Sequence, residues 1–380
     1  MTCHLYRIAA RLILIATVST TLILPVFPAA HNAEAQPSSF NAMYLMTIPN
    51  NYKLLEKLMA SFKENGANTL MIRPQIVNGI VETNTLTNAV FLSHQSGLKI
   101  FVILPTRSPA SVVALHPEWE DMRYDLGSGT MQPAGRLDLF NPSATDYLER
   151  LYKEIASYSV DGILLDEDFY YSGTEGASTR ALDAYAQKFG SQLVFSKAIT
   201  KVDGTRDPVA QEYGDSYWNW NNLKKDVLLD TLQHIITIAH TVNSSVKIGV
   251  PLHEAGFMNP TEELARSSYD LNIFKNIDID FFWIAVPHRD IRVQQELGYK
   301  QSMEKFSKIV QSATDAVQDP AKTIVAVQTT SMSGKILPLW EIEEVASLVK
   351  KTGEPGLAFM VEPDTQLPVA LTKKIFRRQE

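Results

Sequence analysis

The sequence predicts a single-domain (β/α)8 barrel of the α/β class, and three observations lead to that prediction. Eight short apolar segments alternate with segments of helical periodicity between residues 40 and 365. The apolar segments are almost continuously hydrophobic, as buried parallel strands are. Several of them end in charged or aromatic side chains, as expected where barrel active sites form. A doubly wound sheet is the alternative. That fold is expected to have a glycine-rich phosphate loop after the first strand, and Pro49-Asn50-Asn51 is not such a loop.

The elements follow one another regularly along the chain. The predicted strands are residues 40–48, 69–72, 99–104, 162–165, 246–250, 279–286, 323–327 and 356–361. The predicted helices are residues 51–64, 84–95, 143–158, 178–200, 217–243, 262–275, 290–317 and 340–351. Ser143 is the expected N-cap of the third helix. Residues 106–142 are expected to be a long irregular insertion, and residues 201–216 a polar surface excursion.

The first 35 residues have the pattern of a secretory signal peptide. Arg7 and Arg11 precede an apolar run from residue 12 to residue 27, and Ala33-Glu34-Ala35 is a small-x-small cleavage site. An uncleaved membrane anchor is the alternative, but the run is near the lower length limit for a span and contains several hydroxyl side chains. We therefore expect a secreted or periplasmic protein, with residues 36–39 as a tether and residues 366–380 as a C-terminal tail.

Charge and cysteine content exclude several classes of function. The formal net charge is −7, and removal of residues 1–35 with their two arginines and one glutamate leaves −8. That balance argues against nucleic acid as a partner and suits a neutral or cationic ligand. Cys3, in the leader, is the only cysteine, so the mature chain has no disulfide and no thiolate metal site. Without nucleotide or H-E-x-x-H motifs, we expect no cofactor and no metal.

The acidic triplet after the fourth predicted strand is the candidate catalytic centre. Asp166, Glu167 and Asp168 follow the apolar run 162–165 directly and precede three aromatic residues. Adjacent acids repel one another, so one proton tends to be retained, and a retained proton is what a general acid needs. Alternation along a strand predicts Asp166 and Asp168 on one face and Glu167 on the other. We expect Asp168 to be the general acid, with Asp166 or Glu167 as the second carboxylate.

Polar and aromatic side chains near the other strand ends are the candidate substrate contacts. They are Tyr44, Arg73, Tyr170, Trp218, Trp220, His253, Trp283, Gln328 and Glu362. Aromatic rings stack on the apolar faces of pyranoses, while a pair of carboxylates can cleave a glycosidic bond. Each tryptophan could instead be a core residue. His253 and His288 are expected to be hydrogen-bonded polar groups rather than metal ligands.

Two of these segments resemble a known family. Arg136-Leu-Asp-Leu-Phe-Asn-Pro142, a helix, and then Asp161-Gly-Ile-Leu-Leu-Asp-Glu-Asp168 are similar to the C-terminal glycoside hydrolase domain of PgaB-type deacetylases of poly-β-1,6-N-acetylglucosamine (PNAG). The resemblance continues through residues 217–230, 325–328 and the strand at Gly356. It implies a barrel hydrolase acting on PNAG. The family's His-Asp-Asp is Asp166-Glu167-Asp168 here, which keeps only Asp168, and the deacetylase domain with its metal site is not expected.

Chitinase-type barrels offer a second comparison, because they carry Asp-Gly-x-Asp-x-Asp-x-Glu on the fourth strand. Asp161-Gly162, Asp166 and Asp168 fall in that register. By this analogy, one of Asp166 and Asp168 would protonate the leaving oxygen and the other would orient the substrate's acetamido group.

The predicted function is an exported, endo-acting hydrolase of a hexosamine polysaccharide, partly de-acetylated PNAG of a biofilm matrix. One alternative is a non-catalytic barrel that binds polysaccharide and guides it through a cell-envelope export machinery. The other is a hydrolase of an α-linked galactosamine polymer.

Overall fold

Eight parallel strands close into a barrel in the computed structural model of the chain, which describes residues 40–201, 211–331, 335–363, 367 and 369–376. In chain order the strands are β1 (Asn41–Leu45), β2 (Thr69–Ile72), β3 (Ile76–Val77), β4 (Ile80–Val81), β5 (Lys99–Leu104), β6 (Glu120–Asp125), β7 (Thr130–Leu137), β8 (Gly162–Leu165), β9 (Ile199–Lys201), β10 (Gln211–Tyr213), β11 (Lys247–Pro251), β12 (Phe281–Val286), β13 (Thr323–Gln328) and β14 (Gly356–Val361).

Helices surround this barrel on its outer side. They are α1 (Tyr52–Glu64), α2 (Thr83–Gln95), α3 (Ala110–Leu115), α4 (Pro142–Ser157), α5 (Thr179–Phe189), α6 (Phe195–Ala198), α7 (Asp215–Val242), α8 (Glu254–Met258), α9 (Pro260–Ser267), α10 (Leu271–Phe274), α11 (His288–Gln294), α12 (Tyr299–Val317), α13 (Leu339–Lys350) and α14 (Val369–Phe376), with 3-10 turns at Pro117–Trp119 and Pro320–Lys322. Among the described residues, no helix combines the length and apolar character that a membrane span requires.

The barrel order is β1, β2, β5, β8, β11, β12, β13 and β14, and β14 pairs again with β1. All eight pairings are parallel. The eight predicted barrel strands and the fold class are therefore confirmed. The hydrophobic runs predicted them well because both faces of each strand are covered, one by the barrel interior and the other by helices.

Strand alternation divides the apolar side chains into an inner and an outer core. In β1, Met43 and Leu45 face the helices, whereas Ala42 and Tyr44 face the barrel interior. The inner core is filled by Ala42, Tyr44, Met71, Phe101, Ile103, Leu164, Trp283, Ile324, Ala326 and Ala358. We call the opening at the carboxyl ends of the barrel strands the mouth. The packed interior supports these strand ends from below, so the floor of the mouth is rigid.

The predicted insertion and several predicted helices differ from the structure. Residues 106–142 are not irregular, because they contain α3, a 3-10 turn and the β6–β7 hairpin, whose turn is marked by Gly127-Ser-Gly129. Three predicted helices are broken: one at Gly190, which has φ of 69°, one at Ser268, with φ of 52°, and one just before Gly298. A residue in the left-handed conformation ends a helix, and Ser268 and Glu296, unlike Gly190, are not residue types that favour this conformation.

The structure also differs from the prediction at the start of α4 and in the C-terminal tail. Helix α4 begins at Pro142, and its N-cap is Asn141 rather than Ser143, since the Asn141 side chain accepts from the Ser143 N–H at 3.1 Å. The predicted tail contains α14, whose Phe376 ring lies 5.2 Å from the Phe359 ring, so folded structure continues past residue 365. The predicted signal peptide and tether, residues 1–39, lie outside the described residues.

Gly162, the first residue of β8, tests the tightness of the inner core. A Cβ at this position would lie 2.2 Å from the Phe101 ring. We expect Gly162→Ala to lower the free energy of unfolding by about 1–3 kcal/mol, because the ring is held by the inner core and cannot move aside. Urea unfolding monitored by circular dichroism measures the change. The matched control is Gly256→Ala in α8, where the nearest side-chain atom would be at 3.4 Å and the change should stay within about 0.5 kcal/mol.

Candidate active site

The acidic triplet lies in a turn rather than at the end of a strand. The β8 ladder ends at Leu165, and the Phe169 N–H donates to the Asp166 carbonyl at 3.2 Å. Strand alternation therefore does not extend into the triplet, and the predicted sharing of a face by Asp166 and Asp168 is wrong. Each of the three carboxylates instead has its own environment, which determines what chemistry it can perform.

Asp166 forms a two-point ion pair with Arg73 at the end of β2. The Nε of Arg73 donates to Oδ2 of Asp166 at 3.1 Å, and the Nη2 of Arg73 donates to Oδ1 at 2.6 Å. Both side chains are half-buried, and the guanidinium also lies 5.4 Å from the Tyr44 ring centroid. Two-point pairing fixes both side chains in geometry as well as in charge. The pair links strand ends that are not neighbours in the barrel, because β5 lies between β2 and β8.

Asp168 is fully occupied by the loop that follows β5. Its carboxylate accepts hydrogen bonds from the backbone N–H groups of Thr106, Arg107 and Ser108, at 2.5–3.1 Å, and from the Thr106 hydroxyl at 2.7 Å. A carboxylate in such a nest of donors acts as an acceptor only. The acetamide-orienting pair of Asp166 and Asp168 suggested by the chitinase comparison is therefore not formed, since both members are engaged elsewhere.

Glu167 is the one acid of the triplet whose carboxylate makes no hydrogen bond or ion pair to any described residue. Only its backbone N–H is engaged, donating to Asp166 at 2.8 Å. Its side chain reaches solvent. Removal of water by the surrounding protein, helped by the Asp166 charge, nevertheless raises the pKa of Glu167, and Arg73 partly opposes the shift. A carboxyl with a raised pKa and a free oxygen can donate a proton.

Three predicted contacts near other strand ends contain buried polar atoms without a hydrogen-bond partner among the described residues. These atoms are the Tyr44 hydroxyl, the Nε2 of His253 and the Oε1 of Gln328. Burial lowers the pKa of His253 to about 4, and the other ring nitrogen bonds the Phe169 backbone, so Nε2 is an acceptor at neutral pH. A buried polar atom left unpaired costs about 1–3 kcal/mol, so these atoms mark where a ligand or water would bind.

Two predicted substrate contacts are wrong, because their rings are fully buried. Trp283 belongs to the inner core and donates from Nε1 to the Leu165 carbonyl at 2.8 Å, directly below the acidic turn. Trp220 lies in α7, packs in a buried cluster with Ala177 and Phe195, and donates from Nε1 to the Gly176 carbonyl at 2.9 Å. Neither ring can stack on a sugar. In single-sequence reasoning, a core tryptophan and a ligand-stacking tryptophan look alike.

The remaining predicted contacts keep partly exposed side chains. Trp218 is half-buried and contacts the rings of Tyr213 and Tyr217 edge-on. Tyr170 lies edge-on to His253 at 5.2 Å, and its hydroxyl accepts from Arg136 at 2.7 Å. Glu362 is half-buried and directly follows β14. These residues remain candidates for substrate binding.

A buried ionic cluster lies behind the acidic turn, and sequence reasoning missed it. The fully buried Arg107 side chain donates to Asp121 at 2.7 Å, to Glu175 at 2.6 Å and to the Tyr170 carbonyl at 2.5 Å. Lys224, also fully buried, donates to the carbonyl of Glu175 at 3.2 Å, and burial lowers the pKa of this ammonium to about 7. The cluster joins the β6–β7 hairpin, the loop after β8 and helix α7.

His288, predicted to be a hydrogen-bonded polar group, is confirmed as one. Its Nε2 lies 3.0 Å from Glu341, and both side chains are almost fully buried. Among the described residues, no group of three His, Asp or Glu side chains has a geometry that could hold a metal ion.

Comparison with known proteins points to glycoside hydrolases. A family model described as hypothetical glycosyl hydrolase family 13 (GHL13) matches residues 106–359. The glycoside hydrolase domain of PgaB (BpsB) from Bordetella bronchiseptica is similar in structure, with a TM-score of 0.65, 14% identity, and coverage of 84% of this chain and 93% of that one. No functionally curated protein matches the chain in sequence.

Two further solved structures share the architecture. The catalytic domain of β-amylase from Paenibacillus polymyxa has a TM-score of 0.58 and 16% identity, covering 89% of this chain and 98% of that one. The β-galactosidase from the psychrophilic Marinomonas ef1 has a TM-score of 0.61 and 10% identity, covering 88% of this chain and 58% of that one. At such identities the likeness establishes the (β/α)8 barrel fold and nothing finer.

The different environments of Asp168 and Glu167 predict unequal losses of stability when each is replaced by its amide. Asp168→Asn should lower the free energy of unfolding by about 2–4 kcal/mol, because an amide NH2 would face the backbone donors of residues 106–108. Glu167→Gln should change it by less than about 0.5 kcal/mol, because no hydrogen bond is lost. Urea titrations of both variants against the wild type measure the difference. Equal destabilisation by the two substitutions would contradict this description of the turn.

Proposed function

The chain belongs to hypothetical glycosyl hydrolase family 13, and we propose that it is an exported hydrolase that cleaves within a hexosamine polymer, namely partly de-acetylated PNAG of a biofilm matrix. The observation that carries the proposal is the state of Glu167. It is a carboxyl with a raised pKa whose oxygens bond none of the described residues, and it lies at the carboxyl end of the fourth barrel strand. Such a group suits protonation of a glycosidic oxygen.

Glu167, rather than Asp168, takes the role of general acid in this proposal. The four donor groups that bond the Asp168 carboxylate leave it no free oxygen for a substrate. Asp168 acts instead as a positioning residue, because it ties the acidic turn to the loop after β5. Glu167 also has a longer side chain by one methylene, which extends its carboxyl beyond the turn.

Asp166 is the proposed second carboxylate. Its charge lies next to Glu167 in sequence and contributes to the raised pKa of that acid. In the transition state, positive charge develops at the anomeric carbon, and a fixed carboxylate stabilises it electrostatically. Arg73 holds Asp166 by two hydrogen bonds, so the carboxylate needs no reorganisation when the charge develops.

The partnerless polar atoms favour a substrate rich in hydrogen-bond donors. Nε2 of His253 and Oε1 of Gln328 are both acceptors, and the Tyr44 hydroxyl can serve either way. Sugar hydroxyls and free amines would satisfy them. The acidic net charge agrees with a polymer that carries some free amines, although salt screens such attraction beyond about 8–10 Å. The resemblance of residues 136–168 to the hydrolase domain of PgaB-type proteins supports PNAG over other hexosamine polymers.

One observation favours a second candidate, a polysaccharide-binding barrel without catalysis that serves a cell-envelope export machinery. The family's His-Asp-Asp is replaced by Asp166-Glu167-Asp168, and two of these three acids are engaged in structural contacts. Binding of the intact polymer without release of oligosaccharides would favour this candidate. An α-linked galactosamine polymer remains the enzymatic alternative, and linkage analysis of the products separates it from PNAG.

Removal of the Glu167 proton should abolish turnover without unfolding the protein. We expect Glu167→Gln to lower kcat on partly de-acetylated PNAG by about 10²–10⁴-fold, because an amide cannot protonate the leaving oxygen. Mass spectrometry of the soluble products, with reducing-end quantification, measures the loss. The matched control is Glu64→Gln on the exposed surface of α1, which should retain full activity. Wild-type rates from folded Glu167→Gln would remove this residue from the mechanism.

Arg73 should set the upper limit of the active pH range. A general acid must be protonated, so kcat/KM falls as pH rises through the pKa of Glu167. Arg73 lowers that pKa, so Arg73→Gln should raise it and move the alkaline limb of the kcat/KM profile to higher pH. The same variant should lower kcat, because Asp166 loses its two-point support. A limb that stays in place or moves to lower pH would contradict the assignment of Glu167.

A further inference from the structure

Trp340 is the one tryptophan whose ring is largely exposed. Its side chain is 59% exposed, whereas Trp220 and Trp283 are buried and the other two tryptophans are half-buried. Two apolar neighbours widen the exposed surface, Leu339 at 42% and Ile336 at 39%. We call Ile336, Leu339 and Trp340 the Trp340 platform. Exposing a large ring forgoes much of the favourable free energy of its burial, so such a platform suggests a binding surface.

The platform lies on the same side of the barrel as the acidic turn. Helix α13 follows β13, and helices of a (β/α)8 barrel begin near the carboxyl ends of the strands they follow. Trp340 is the second residue of α13. The next residue, Glu341, bonds His288 at 3.0 Å and accepts from the Nε of Arg289 at 2.8 Å, and both of these residues follow the end of β12. The first turn of α13 is thus attached to the rim that surrounds the mouth.

The Trp340 ring is braced as well as exposed. The Tyr299 ring meets it edge-on, with centroids 5.4 Å apart and an interplanar angle of 60°. The Tyr299 hydroxyl donates to Glu344 at 2.7 Å, one helical turn beyond Trp340. An edge-on neighbour fixes the orientation of a ring while leaving a face of that ring free. Little conformational entropy would then be lost when a flat ligand stacks on it.

We propose that the Trp340 platform is an accessory sugar-binding site that holds a unit of the polysaccharide outside the cleft during cleavage. This inference rests on the proposed function, because it takes the ligand to be the same polymer. A pyranose offers an apolar face of C–H groups that matches one indole ring. The charges of Arg289 and Glu341 are already paired to each other beside the platform, so an ionic ligand has less to recognise there than a sugar.

Because the platform lies at the rim, we expect its contribution to binding to depend on the length of the polysaccharide. A short oligosaccharide bound across the acidic turn need not reach α13, whereas a long chain crossing the mouth can extend over the rim. The platform should therefore contribute to the binding of the intact polymer and leave the chemical step unchanged. In kinetic terms, its loss should raise KM for the polymer and leave kcat at its wild-type value.

The experiment compares the wild-type chain with Trp340→Ala on two substrates: intact, partly de-acetylated PNAG and the shortest oligosaccharide of it that the wild type cleaves. We expect Trp340→Ala to raise KM for the polymer about threefold to tenfold, with kcat unchanged and both constants unchanged for the short oligosaccharide. The matched control is Phe91→Ala on the outer surface of α2, which is 56% exposed and should alter neither substrate's constants. Tyr299→Phe, which removes the hydroxyl that bonds Glu344 but keeps the ring, should raise KM for the polymer by a smaller factor.

The outcomes separate this inference from the proposed function. If the wild type cleaves both substrates and Trp340→Ala has the same KM for the polymer, the platform is overturned and the proposed hydrolase activity stands. An equal rise of KM for both substrates would also overturn it, because the ring would then belong to the cleft. Light scattering gives the oligomeric state, and a wild-type dimer that Trp340→Ala converts to a monomer would assign the surface to self-association instead. A wild type inactive on both substrates would reject the proposed function and the platform with it.

Discussion

The attachment of Asp168 to the loop after β5 is the interaction on which the arrangement of the mouth depends. Three backbone N–H groups and one hydroxyl converge on this carboxylate, so two neighbouring strand ends are joined just above the barrel. The join fixes the turn that carries Glu167, because Glu167 directly precedes Asp168 in the chain. On the other side, Asp166 is fixed by Arg73. Glu167 is therefore held between two anchored acids, while its own carboxyl makes no hydrogen bond to any described residue.

A second layer of charge makes this arrangement rigid. Arg107 contributes its backbone N–H to Asp168 and its buried guanidinium to Asp121, Glu175 and the Tyr170 carbonyl. The same residue thus supports the acidic turn and the loop that follows it. A buried guanidinium is costly unless every donor finds an acceptor, and such a network tolerates few alternative geometries. The rigidity of the acidic turn comes in this way from buried charges behind it.

The sequence predicted the barrel strands correctly, and there is a physical reason for this. A parallel strand covered on both faces must be apolar along its whole length, and that property can be read from consecutive residues. The partners of Asp166 and Asp168 cannot, because Arg73 and Thr106 lie 93 and 62 residues away along the chain. Nor does a sequence reveal that Trp283 faces inward, since interior and ligand-binding aromatic residues follow the same strand periodicity. Long-range hydrogen bonds, rather than residue types, distinguish the structural acids from the free one.

These contacts explain in physical terms what changes when Asp166 stands where the PgaB-type His-Asp-Asp pattern has a histidine. A carboxylate at position 166 places a negative charge beside Glu167, and like charges raise the pKa of a neighbouring acid. Unopposed, two acids side by side at a barrel mouth would also repel each other and destabilise the turn. Arg73 relieves that repulsion by pairing with Asp166, and it partly opposes the pKa shift of Glu167. Asp166 and Arg73 therefore act together on Glu167: burial and the Asp166 charge raise its pKa, and the Arg73 guanidinium limits the shift.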